Sequence, residues 1–156
     1  MAKFAPIVFD PNIRPAVISD RAQYVAQIER WVAISSAVKA SDEDIKWLYP
    51  GLEIDQVVNN WLIKGPSLIV VTSGDKGLAG YRKDEKVIVD SVKVKVADTV
   101  GAGDTVGAIL VEAIVKYGLD NLTGARLETM LKRAAKASAI TVSRVGANPP
   151  TSEELE

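Results

Sequence analysis

A chain of 156 residues that is 47% hydrophobic and 25% charged has the size and balance of one globular domain. It contains no cysteine and no histidine, which excludes disulfides, thiolate metal sites and a Ser-His-Asp hydrolase, disfavours a transition-metal centre, and leaves a carboxylate, a lysine or a tyrosine as any general base. The net charge of −1 gives no electrostatic reason to expect nucleic acid or an anionic membrane as partner, no apolar run reaches the roughly 20 residues of a bilayer span, and Met1–Pro6 lacks the charged and apolar regions of a secretory signal, so a cytoplasmic location is the default.

In chain order, Ile7-Val8-Phe9 reads as a short buried strand ended by the turn signal Asp10-Pro11-Asn12. Ser19 is placed to cap a helix to about Ile34, with Tyr24, Val25, Ile28, Trp31 and Val32 on one face. Ala37-Val38 predicts a strand, Ser41–Leu48 a short helix stopped by Pro50-Gly51, Asp55–Ile63 a third helix and Leu68–Val71 another strand. Leu78–Arg82 and Lys86–Val89 predict an antiparallel pair joined by the Lys83-Asp84-Glu85 turn. Val92-Lys93-Val94-Lys95-Val96 alternates strictly, which predicts a strand with its valines buried and its lysines in water. Asp104–Tyr117, broken only by Glu112 and Lys116, predicts a largely buried helix. Leu127, Met130, Leu131, Ala134, Ala135, Ser138, Thr141, Val142 and Val145 mark a long amphipathic helix, and the polar, proline-containing tail from Gly146 is expected to fray after Pro150. Trp31, Trp47 and Trp61 read as packing residues, and Lys132, Arg133 and Lys136 as a solvated basic face. Strands alternating with helices predict a layered α/β fold with a mainly parallel sheet. The chain opens almost directly in a buried strand, as if in mid-sheet.

Asp98-Thr99-Val100-Gly101-Ala102-Gly103-Asp104-Thr105 is the most informative segment. Two glycines between a strand and a helix let the backbone turn tightly and approach a ligand. The first amides of the helix lack intrahelical partners and carry the positive end of its dipole, which makes such a turn a natural phosphate site. A carboxylate there can accept a proton from an attacking hydroxyl while the amides stabilise phosphoryl oxygens. The plain alternative is a glycine turn with an aspartate in the first helical turn, and the motif alone leans slightly that way. A P-loop is absent, and a dinucleotide fingerprint would need glycine where Val106 stands.

The same segment closely resembles the C-terminal signature of the ribokinase-like (PfkB) carbohydrate kinases. Val71-Thr72-Ser73-Gly74-Asp75-Lys76-Gly77 resembles that family's nucleotide loop, and Gly146-Ala147-Asn148-Pro149 its segment near the adenine. Phe9-Asp10-Pro11-Asn12-Ile13-Arg14-Pro15 and Val38-Lys39-Ala40-Ser41-Asp42-Glu43-Asp44 resemble bacterial fructokinases and 2-keto-3-deoxygluconate kinases in particular. The likeness runs from Pro6 to Pro150. It implies a three-layer α/β/α fold cut short on its N-terminal side, with residues 1–150 forming the nucleotide-binding, catalytic part of a sugar kinase and 151–156 a tail.

By that resemblance Asp104 is the catalytic base, and Gly101, Ala102 and Gly103 form the anion hole. Thr72, Ser73, Gly74, Asp75 and Gly77 lie against the nucleotide, Asn148 lies beside the adenine or ribose, and Arg14 reaches the substrate. Arg14 is equally readable as a salt-bridge partner of Asp10 or Asp20. The family's Asn-x-x-Glu motif, which organises the Mg2+ water shell, is here Ser41 and Asp44. Ser-x-x-Asp is also a helix capping box, so these two are assigned capping first and a water-mediated Mg2+ contact second. Asp98 and Val100 fall where the family binds a monovalent cation such as K+ through backbone oxygens. The implied cofactors are ATP and Mg2+, and the implied partners are a sugar, fructose or a related keto-sugar, and the N-terminal half of such a kinase. An exposed sheet edge would also allow self-association. Two further readings stay open: a non-catalytic nucleotide-binding or regulatory module of the same fold, and a family member acting on a nucleoside or a sugar phosphate.

Overall fold

The computed structural model describes residues 5–156, so residues 1–4 of the Met1–Pro6 segment lie outside the described residues. Five strands form one sheet in the order β1 (Val8–Phe9), β2 (Ala37–Ser41), β3 (Leu68–Thr72), β4 (Leu78–Arg82) and β5 (Glu85–Val89). The sheet is mixed: β1, β2 and β3 run parallel, and β4 and β5 add antiparallel. Helices α1 (Arg21–Ile34), α2 (Asp42–Leu48) and α3 (Ile54–Lys64) cover one face, and α4 (Ala102–Tyr117) and α5 (Gly124–Val142) the other.

The period-2 geometry of the strands divides the core in two. Val38, Ala40, Ile69 and Val71 pack with Ile28, Val32, Ile45 and Trp61 under α1–α3. Ala37, Leu68 and Val70 pack with Val106, Leu110, Leu127 and Leu131 under α4 and α5. The parallel strands are apolar on both faces because both faces are covered. Trp61 is fully buried, and its indole N–H is satisfied by the Tyr49 hydroxyl at 3.3 Å. Tyr49 in turn donates to Glu29, which also accepts from Lys64. Burial, then the bond to Glu29, pushes the Tyr49 phenol well up. For Glu29 burial raises the carboxyl, but the bonds from Lys64 and Tyr49 together outweigh it and hold it below its ordinary range.

Several expectations are corrected. Asp20, not Ser19, caps α1, accepting from the Gln23 amide at 2.9 Å. Val92–Val96 is not a strand, and its three valines are exposed. Alternation needs a paired edge and a core beneath one face, and this segment leaves β5 to cross toward α4 with neither. The α4 helix is buried on one side only: Val106, Ile109, Leu110 and Ala113 face the core, whereas Val111 and Val115 are exposed. Its apolar residues run round the helix, so the sequence could not say which side the sheet covers. Of the tryptophans, Trp61 is core, while Trp31 is partly exposed and stacks on Phe9. Helix α5 ends at Val142, and Val145 beyond it is exposed. The tail is tied back: Leu155 is buried in the α4–α5 core, Arg144 pairs with Glu154, and Arg133 donates to the Leu155 carbonyl.

Candidate functional site

Gly101 adopts φ +81, a left-handed conformation that favours glycine, and so turns the chain into α4. A Cβ at Gly101 would come within 3.1 Å of the Ala147 Cβ. The turn is held from three sides. Asp98 accepts from the Val100 amide at 3.1 Å and from the Gly146 amide at 2.9 Å. These two backbone bonds, the one from Val100 first, keep its carboxyl below the ordinary range. The Thr105 hydroxyl donates to the Gly101 carbonyl or shares a hydrogen bond with the buried Thr141 hydroxyl, each at 2.9 Å, tying the first turn of α4 to α5. Among the described residues, the amides of Gly103 and Asp104 have no hydrogen-bond acceptor. Asp104 is exposed, and among the described residues its carboxylate makes no hydrogen bond or ion pair.

Opposite this turn, β3 ends at Thr72 in the loop that leads to β4. Gly74 (φ +53) and Gly77 (φ +98) both need positive φ, and the Ser73 amide closes the loop on the Gly77 carbonyl at 2.9 Å. Thr72, Gly74, Asp75 and Gly77 line a hollow of about 310 Å³ together with Ala102 and Gly103. The walls that sequence reasoning missed are apolar or small: Val92, Val94 and Val96 on one side, and Ala135, Ser138, Ala139 and Val142 of α5 on the other. The valines that fail to make a strand are this wall. Ser91 and Lys93 hold the segment down by donating to the Asp75 carbonyl.

Ser73, Gly101 and Asp104 adjoin these residues in sequence without lining the hollow, and other expected residues lie apart from it. Arg14 is exposed and donates to the carbonyls of Asn12 and Ile13, and pairs with neither Asp10 nor Asp20. Asn148 is exposed in the Gly146 turn and does not line the hollow. Ser41 and Asp44 make the capping box of α2, and the second oxygen of Asp44 accepts from the Ile13 amide at 3.0 Å. Both Asp44 oxygens are thus engaged by backbone amides. No group of three or more carboxylates among the described residues could hold a metal ion. One residue went unrecognised as part of this region: Lys39, a lysine inside an apolar strand, whose ammonium lies against Gly103 and pairs with Asp10 at 2.9 Å.

A glycine turn with free amides, opening a helix beside the carboxyl end of parallel strands, defines an anion-receptive site of the α/β class. The chain belongs to the pfkB family carbohydrate kinases, whose sequence profile matches residues 1–154. It is 43% identical over 129 residues to a fructokinase of Rhizobium leguminosarum bv. trifolii, covering 83% of this chain and 39% of that one. It is 32% identical over 154 residues to fructokinase-1 of Oryza sativa subsp. japonica, covering 97% of this chain and 47% of the relative. The fold matches the crystal structure of a fructokinase from Vibrio cholerae O395 in its fructose, ADP and calcium ion bound form, with TM-score 0.77 and 29% identity over 91% of this chain and 46% of that one. The ribokinase-like α/β fold is thereby established, and the chain spans less than half the length of the relatives it matches.

Proposed function

We propose that the chain carries the nucleotide-binding and catalytic part of an ATP-dependent sugar kinase acting on fructose or a related keto-sugar. The observation that supports this most is that Ala102 and Gly103 of the glycine turn and Thr72, Gly74, Asp75 and Gly77 of the facing loop line one hollow. Its valine and alanine walls suit a flat base, and its glycine end suits phosphates.

In this reading the free amides of Gly103 and Asp104 receive oxygens of the transferring phosphoryl group. The sugar hydroxyl oxygen bonds to the γ-phosphorus, the bond from that phosphorus to the bridging oxygen of ADP breaks, and the hydroxyl proton passes to the Asp104 carboxylate. Asp104 is suited to that role because it is exposed and has no competing partner among the described residues. Magnesium would be held by phosphate oxygens and waters, since the engaged oxygens of Asp44 offer no cage. A monovalent cation such as K+ would bind through the backbone oxygens of Asp98 and Val100. Arg14 and Asn148 would serve substrate and adenine from their exposed positions. Sugar recognition would draw on the part of the family's length that this chain does not span.

The test is Asp104→Asn in a complete kinase carrying this segment, assayed by coupled ADP release with fructose and by calorimetric ATP binding. Turnover should fall by about 10²-fold or more, with ATP affinity within a few-fold of the parent. Turnover retained near the parent's rate would remove Asp104 as the base. ATP binding without turnover in the parent itself would favour the non-catalytic module.

A further inference from the structure

Strand alternation accounts for an ion pair that phosphate chemistry alone did not call for. Val8 on β1 and Ala37 on β2 are partners in register and face the α4–α5 core. Two residues on, Asp10 and Lys39 project to the same face. Lys39 is only 4% exposed, and its Nζ donates to Asp10 Oδ2 at 2.9 Å. The Asp10 carboxylate is itself anchored by the Asn12 amide, which donates to Oδ1 at 3.0 Å. A Cβ on Gly103 would lie 2.6 Å from Lys39 Nζ, so the absence of a side chain there is what admits the ammonium.

The location is electrostatically odd. The start of a helix is the positive end of its dipole and favours a carboxylate, not a lysine. An ammonium has three donors, and Asp10 is its one acceptor among the described residues. A single, partly exposed carboxylate therefore pairs with a buried cation that itself lies against Gly103, at the helix start where the amides of Gly103 and Asp104 are unpaired. A multiply charged anion between them would balance the charge and use the remaining donors.

We infer that Lys39 is a phosphate-contacting residue of this site, directed at the terminal phosphoryl group of the nucleotide and held in place by Asp10 as a positioning residue. This rests on the nucleotide-site reading above, and it names a group that neither glycine loop supplies: a full positive charge against Gly103, which itself lines the hollow.

The test compares ATP with AMP by calorimetry on the full chain, for the parent, Lys39→Met and Asp10→Asn. Lys39→Met should weaken ATP by about tenfold or more while AMP stays within about twofold, because only ATP carries the distal phosphates. Asp10→Asn, which keeps the ammonium but loosens it, should give a smaller loss confined to ATP. The double variant Asp10→Asn/Lys39→Met removes both charges together and avoids a stranded half-buried carboxylate. It should retain the parent's circular dichroism spectrum with the same ATP-selective loss, and serves if Lys39→Met does not fold. Unchanged ATP affinity in the variants, or parallel loss of ATP and AMP, would overturn the assignment. A folded parent that binds neither nucleotide would instead bring down the nucleotide-site reading, and this inference with it.

Discussion

Gly74 and Gly77 lie three residues apart in one loop and both have positive φ, yet replacing each by alanine should have very different consequences. At Gly74 the backbone is left-handed helical at φ +53, and a new Cβ would meet nothing within 4 Å. The penalty is then the conformational one alone, about 1 kcal/mol. At Gly77 the backbone sits at φ +98, ψ −144, a region essentially reserved for glycine, for about 1–3 kcal/mol. A Cβ there would also fall 2.1 Å from the Val89 carbonyl oxygen and 2.8 Å from the Ser91 nitrogen. Those are backbone atoms, so the end of β5 must move, and relieving such an overlap adds roughly 1–3 kcal/mol. Gly77→Ala should therefore destabilise by about 2–6 kcal/mol, against about 1 for Gly74→Ala. For a chain of this size that is a difference of roughly 2–20 °C in Tm. Urea unfolding of the two variants beside the parent measures it directly, with an unchanged m-value certifying that the transition is the same one. Equal midpoints for the two variants would refute the claim that Gly77 is required by its neighbours and not only by its own backbone.

Thr105→Val should cost about 0.5–1.5 kcal/mol, since it removes the bond to the buried Thr141 hydroxyl and one of two bonds to the Gly101 carbonyl, which keeps the Thr105 amide. The double variant with Thr141→Val should cost less than the sum of the singles by roughly 0.5 kcal/mol or more; strict additivity in a double-mutant cycle would show the hydroxyls to be uncoupled. Glu29 sets a pH dependence. Its folded-state pKa is lowered from 4.5, so its contribution is fully present above that value and is lost as pH falls through the folded pKa. Glu29→Gln should therefore flatten the loss of stability as pH falls below about 4.5, and parallel pH profiles for variant and parent there would contradict this.

Much of the architecture was readable from local rules. Ser41-x-x-Asp44 specifies its own capping box, Leu68–Val71 is an unbroken apolar run within β3, and the turn at Lys83-Asp84, with Glu85 already in β5, places β4 against β5. Such features depend on residues within a few positions of one another, and their signals survive without knowledge of what packs where. The glycine turn at 101–103 belongs with them, because a left-handed residue before a helix leaves its mark in composition.

Val92–Val96 marks where that legibility stops. A period of two states that one side differs from the other, but not whether a neighbouring strand exists to pair with, and here the valines instead wall the hollow. Lys39 is the sharper case. Its pattern position is that of a core residue, and only the parallel alignment of β1 with β2, followed by the approach of α4 from much later in the chain, brings Asp10, Lys39 and Gly103 together. Local sequence thus determined the strands, caps and glycine turns of this chain. The long-range packing of helix on sheet decided which side chains share a charge, because burial and Coulomb interactions act through space between segments that the sequence holds far apart.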